Sequence, residues 1–184
     1  MPDHFATLAQ PRRPWLDEAA LKQAFHRATA QHHPDIAGGS GDKAAALNAA
    51  YAVLHDPASR VRHLLELEAP EALTVRPDIG AEMTGFFGKI AELRQASAAQ
   101  GRKNALAQAL AAADRHALRG EIERMLGTLR ESESAALLQV RDLDARWGQG
   151  DSQVPALLAA QQQHLAFLAK WQAQLREDLF HLGG

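Results

Sequence analysis

Leu21-Lys22-Gln23-Ala24-Phe25-His26-Arg27-Ala28-Thr29-Ala30-Gln31-His32-His33-Pro34-Asp35 is the stretch that decides how this chain folds. Leu21, Ala24, Phe25 and Ala28 recur at helical spacing and mark one apolar face, while Lys22, His26 and Arg27 fall on others. Pro34 disfavours helical geometry in the residue before it, so the helix ends by His33. Upstream, Asp17 is suited to cap this helix, with Glu18 near the positive end of its dipole. Asp3 to Leu8 reads as a short helix closed by the loop Gln10 to Pro14. Downstream, Gly38-Gly39-Ser40-Gly41 is a loop by composition, and Asp42 can cap a helix with the face Leu47, Ala50, Tyr51 and Leu54. Asp56-Pro57 ends that helix and opens a fourth, with Pro57 in the turn that tolerates it and Val61, Leu64, Leu65 and Leu67 inward. Packing Phe25 and Ala28 against Leu47, Tyr51 and Leu54 makes an antiparallel hairpin with His33 to Asp35 projecting from one end.

Pro70 and Pro77 interrupt the periodicity between Glu68 and Asp78, which places a domain boundary there. The expected organisation is a domain over 3–67, a linker over 68–77 and a helical bundle over 78–182. Ile79 to Ala99 reads as a helix carrying Met83, Phe86, Phe87, Ile90 and Leu93. From Arg102 to Trp147 the helical period continues through Leu106, Leu110, Leu118, Ile122, Met125, Leu129, Leu137, Val140 and Leu143. Gly148-Gln149-Gly150-Asp151 breaks it. A last helix, Pro155 to His181, has the face Leu158, Leu165, Leu168, Trp171, Leu175 and Leu179. Helices of this length need partners, and three of them make an antiparallel bundle. The fold class is all-α.

Composition agrees. Of 184 residues 46% are hydrophobic but only 5% aromatic, and alanine and leucine, the best helix formers, supply much of that apolar content. A net charge of −2 supplies no broad positive field for a phosphate backbone, so nucleic acid is not an expected partner. The lack of cysteine rules out disulfides, thiolate catalysis and sulfur-based zinc sites. With no run of about 18 apolar residues and no signal-peptide pattern, a soluble cytoplasmic protein without a membrane partner is expected. The nine histidines show no His-x-x-x-His pairing, and His32 and His33 are adjacent, so their side chains diverge; no metal or cofactor is expected. His33 and Asp35 could make an acid–base pair, but no nucleophile motif accompanies them, and Gly38 to Gly41 lacks the lysine of a phosphate loop. An enzyme is not expected.

The order short helix, long helix, His33-Pro34-Asp35, long helix, short helix resembles a J-domain. The resemblance implies that His33, Pro34 and Asp35, with the polar face bearing Lys22, His26 and Arg27, dock on a DnaK-type chaperone and trigger its ATP hydrolysis. Asp35 suits a charge-assisted pair with a partner arginine, and Pro34 pre-sets the loop so that little entropy is left to lose. His32 and Ile36 stand where J-domains commonly have tyrosine and a basic residue, and Gln23 and Gln31 where Lys or Arg is frequent. Further on, Arg60 to Leu67, Thr74-Val75-Arg76 and Leu165 to Lys170 are similar to segments of the HscB family, type III J-proteins of iron–sulfur cluster assembly. The likeness is strong over 3–67 and patchy beyond. It implies a DnaK/HscA-type partner and a client patch at Met83, Phe86, Phe87 and Ile90 for an IscU-type scaffold. Gly85 and Gly88 intrude there, and Glu82 and Glu92 are the only acids nearby. A J-protein for a different client, or a helical interaction module without J activity, are the alternatives.

Overall fold

The computed structural model describes residues 2–31, 41–75, 80–101 and 112–183, and the described residues contain helices and no strand. In chain order they form α1 (His4–Thr7), α2 (Glu18–Gln31), α3 (Gly41–His55), α4 (Pro57–Glu68), a 3-10 turn (Pro70–Leu73), α5 (Gly80–Gly101), α6 (Ala112–Trp147) and α7 (Val154–Gly183). Capping sets several of the starts. Asp3, Asp17 and Asp56 accept the backbone N–H of Ala6, Ala20 and Ser59 at 3.0, 2.7 and 2.7 Å, which gives three otherwise orphaned donors a partner. Gly150 closes the turn after α6 at φ +74°, a backbone region that side chains with a Cβ avoid.

Packing divides the chain into two compact units, Met1–Pro77 with Leu137–Gln163, and Asp78–Ala136 with His164–Gly184. In the first, Phe5, Leu8, Leu16, Leu21, Leu47, Ala50, Leu54 and Leu64 form a buried core, with Phe25, Ala28, Tyr51, Leu67 and Trp147 packed against it. The expected α2–α3 pairing is present, and the Phe25 and Tyr51 rings stack at 4.4 Å. Burial of each large apolar side chain here contributes roughly 1.5–3 kcal/mol. Leu67 is only half-buried, and two residues that the apolar pattern did not single out, Arg60 and His63, are buried instead. Arg60 donates to Pro14 O (2.9 Å) and Leu54 O (2.7 Å), joining the loop before α2 to the end of α3. Arg13 and Trp15 hold Asp144 of α6, and the Trp147 indole N–H reaches Arg12 O.

The second unit is the three-helix core. Met83, Ile90 and Leu93 of α5, Leu118, Ile122, Met125, Leu126 and Leu129 of α6, and Leu168, Trp171, Leu175 and Leu182 of α7 are buried together. Partner numbers give the directions. Glu82 meets Ser132 and Lys89 meets Glu121, so α5 and α6 run antiparallel. Ser132 meets His164 and Arg119 meets Leu179 O, so α6 and α7 do too. Leu106 and Leu110, expected on the apolar face of the second long helix, and Ile79, expected to open the first, lie outside the described residues.

Candidate functional site

Two surfaces carry the residues singled out by the sequence. The first is the outer face of α2. Leu21 and Ala24 turn into the core, which leaves Lys22, His26 and Arg27 exposed on the opposite side. Lys22 and His26, one turn apart, share a row, and Arg27 stands on the adjoining one, so this face carries two cations and an imidazole. Neither the stretch from Ala19 to Gln31 nor that from Lys43 to His55 contains an acidic residue. Glu18 and Asp42 lie in the first turns of their helices, where the dipole favours them. Over residues 18–55 Lys22, Arg27 and Lys43 are balanced by Glu18, Asp35 and Asp42, so the positive charge is local to the α2 face and not a net charge of the hairpin. His33, Pro34 and Asp35, the remainder of the expected chaperone-docking set, lie outside the described residues.

The second surface is on α5. Met83 and Ile90, two full turns apart, share one face and are 4% and 3% exposed, inside the three-helix core. The expected patch of four therefore splits: these two offer no surface, and Phe86 and Phe87 remain. The cause is geometric, since a step of one residue rotates the side chain by about 100° and carries Phe87 from the buried face to the rim. Phe87 is 42% exposed. Its ring stands edge-on to Phe167 (5.4 Å) and Trp171 (4.8 Å), and Phe86 meets Trp171 edge-on at 6.1 Å. Phe167, which the sequence reading placed only within a similar segment of the last helix, completes this aromatic cluster. Its adjacency to Phe87 depends on α7 running parallel to α5, information no local pattern holds.

Beside the cluster, the Ser132 hydroxyl donates to Glu82 Oε1 at 3.1 Å and lies 3.1 Å from His164 Nε2. Because the serine proton is directed at the carboxylate, the imidazole must donate through Nε2 into Oγ. A protonated nitrogen cannot act as base, and the carboxylate orients the serine rather than the histidine. The trio is therefore a tie across α5, α6 and α7 and lacks the order of a nucleophilic triad. Burial holds the His164 pKa below the usual imidazole value, with Glu82 opposing. Among the described residues no group of three or more metal-ligating side chains converges, and no helix is long and apolar enough to cross a membrane.

The chain is 35% identical over 157 residues to an HscB co-chaperone homologue of Burkholderia multivorans, a match covering 76% of this chain and 85% of that relative. The chain belongs to the HscB co-chaperone family. A second HscB homologue, from Paraburkholderia phymatum, is 38% identical over 87 residues, 43% of this chain and about half (46%) of that relative. No family model matches the chain. The HscB fold is also found in the structure of the Vibrio cholerae chaperone HscB, with TM-score 0.58 and 20% identity over 96% of both chains. Human co-chaperone HscB gives TM-score 0.52 and 17% identity over 92% of this chain and 80% of the other. The HscB fold of an all-α J-domain followed by a helical domain is thus the fold of this chain.

Proposed function

We propose that this J-protein stimulates ATP hydrolysis by a DnaK/HscA-type chaperone through His33, Pro34 and Asp35 and the α2 strip Lys22, His26 and Arg27. The observation that carries this reading is the exposed pair Lys22 and Arg27 on α2, with no acid between Ala19 and Gln31, in the segment that leads to the His-Pro-Asp sequence. A chaperone surface with exposed carboxylates would gain on-rate and orientation from that strip. Pro34 would present its neighbours with reduced freedom, and Asp35 would supply a charge-assisted acceptor. In a steady-state ATPase assay with the host's chaperone, Lys22→Ala/Arg27→Ala should reduce stimulation, and more so at low salt. Unchanged stimulation at every salt concentration would remove the strip from the docking face.

The second role proposed is capture of a client on the Phe86, Phe87 and Phe167 rim, with an IscU-type iron–sulfur scaffold as the partner. An exposed aromatic seated on other aromatics is the type of residue that dominates interface energies. Calorimetry with the scaffold should show binding that Phe87→Ser weakens on the order of tenfold. No heat with the unaltered protein would remove the scaffold. A J-protein for a different client is the second reading. It is favoured by the scarcity of free acid at the rim, where Glu82 accepts from Ser132 and Glu92 lies 3.6 Å from Lys89.

A further inference from the structure

His63 of α4 is 4% exposed, with the His4 ring at 4.6 Å and the Phe5 ring stacked on it at 5.6 Å. Its Nε2 accepts the backbone N–H of His4, the first residue of α1, at 3.1 Å. A backbone N–H can only donate, so Nε2 must be unprotonated and the ring proton must sit on Nδ1, the nitrogen 4.0 Å from Glu66 Oε2. We propose that His63 is an acid-released latch that holds α1 against α4 only while its ring is neutral.

Protonating Nε2 would set a donor against a donor and place a cation, out of water, against the His4 and Phe5 rings. The charged groups facing the ring are His4 of α1, Asp3 before it, Arg12 of the following loop and Glu66 on α4 itself. The two carboxylates that would welcome the cation are already engaged, Asp3 by Arg12 at 2.6 Å and Glu66 by Arg62 at 2.9 Å. Burial holds the imidazole below its ordinary value and His4 pushes the same way, with Glu66 and Asp3 opposing. Withdrawal of α1, which is four residues long, relieves the conflict. That helix carries Phe5, and Leu8 follows it, both fully buried in the core that supports the α2–α3 hairpin. Acid would therefore loosen the element that presents the proposed chaperone-docking face. The latch bears on the proposed function only in this consequence and is measured without any chaperone.

The test follows the His63 ring and the His4 amide of the full chain by NMR between about pH 7 and 5, the range in which histidine titrates. At neutral pH the ring should be the Nδ1–H tautomer. The hydrogen-exchange protection of the His4 amide should fall by up to about tenfold per pH unit as pH drops from the free imidazole's midpoint to the ring's own lower one, and level off below it, as linkage to one proton requires. His63→Gln, whose side-chain carbonyl can accept the same N–H without titrating, should keep protection flat through that range. His4→Gln removes a neighbouring charge and should move the loss to higher pH. A ring that titrates while the His4 amide stays protected would overturn the latch, as would the same loss of protection in His63→Gln. If His63→Gln does not fold, the coincidence of the two wild-type midpoints and the His4→Gln shift decide. Intact coupling with absent ATPase stimulation would count against the proposed function and leave the latch standing.

Discussion

Arg60 is fully enclosed, and its two hydrogen bonds satisfy the carbonyls of Pro14 and Leu54. Burial pulls the guanidinium below its usual pKa, while Asp56 and Asp144 oppose. Arg60→Leu keeps much of the volume but leaves two buried carbonyls bare, so it should cost about 2–4 kcal/mol, read from urea unfolding. A change under about 0.5 kcal/mol, the usual range for a surface site, would show that the carbonyls find water. The sequence held a signal for Arg60 and His63, since both fall on the stripe made by Val61, Leu64 and Leu67. Charged and titratable residue types are usually exposed, and that expectation masked the period. His164 yields a pH prediction. Its folded pKa is depressed, so its contribution is complete above the unfolded value, about 6.5, and is lost as pH falls through the folded value. Urea midpoints measured at about pH 7.5 and 5 should therefore converge in part in His164→Gln. Only part of the difference should go, because the buried His63 contributes in the same direction. An unchanged difference would mean that His164 does not titrate in this range.

The individual helices were the most legible level. Apolar spacing, the Asp17 cap and the Asp56-Pro57 pair located the starts of α2 and α4 to within a residue or two, because caps and periods are local properties, and Asp3 to Leu8 was legible as the short helix α1. Which face of α5 would be outermost was less legible. Met83 and Ile90 looked equivalent to Phe87 until α6 and α7 were placed beside them. Gly85 and Gly88 lie on the same helix, and a Cβ at either position would meet nothing within 4 Å. No close approach requires a glycine there, so each simply weakens the helix. Gly88→Ala should stabilise the chain by about 0.5–1 kcal/mol in chemical denaturation, and a loss of stability would contradict this account of α5.

For the molecule as a whole, the all-α class, the hairpin and the three-helix core could be read from periodicity. The packing of Leu137–Gln163 with the N-terminal segment could not. A helical period says which face is buried and is silent about what covers it. The Asp144 contacts with Arg13 and Trp15 span more than 120 positions and leave no local mark. The His33-Pro34-Asp35 motif was legible in a different way, as three residues whose meaning came from the helices on either side. The account as a whole stands on that motif acting at the end of the α2–α3 hairpin. The most direct test is single-turnover ATP hydrolysis by a DnaK/HscA-type chaperone with the full chain added, comparing the unaltered protein with His33→Gln at matched folding. The account predicts acceleration by the unaltered chain and a loss of most of that acceleration in His33→Gln. No acceleration by the unaltered chain, or equal acceleration by both, would contradict it.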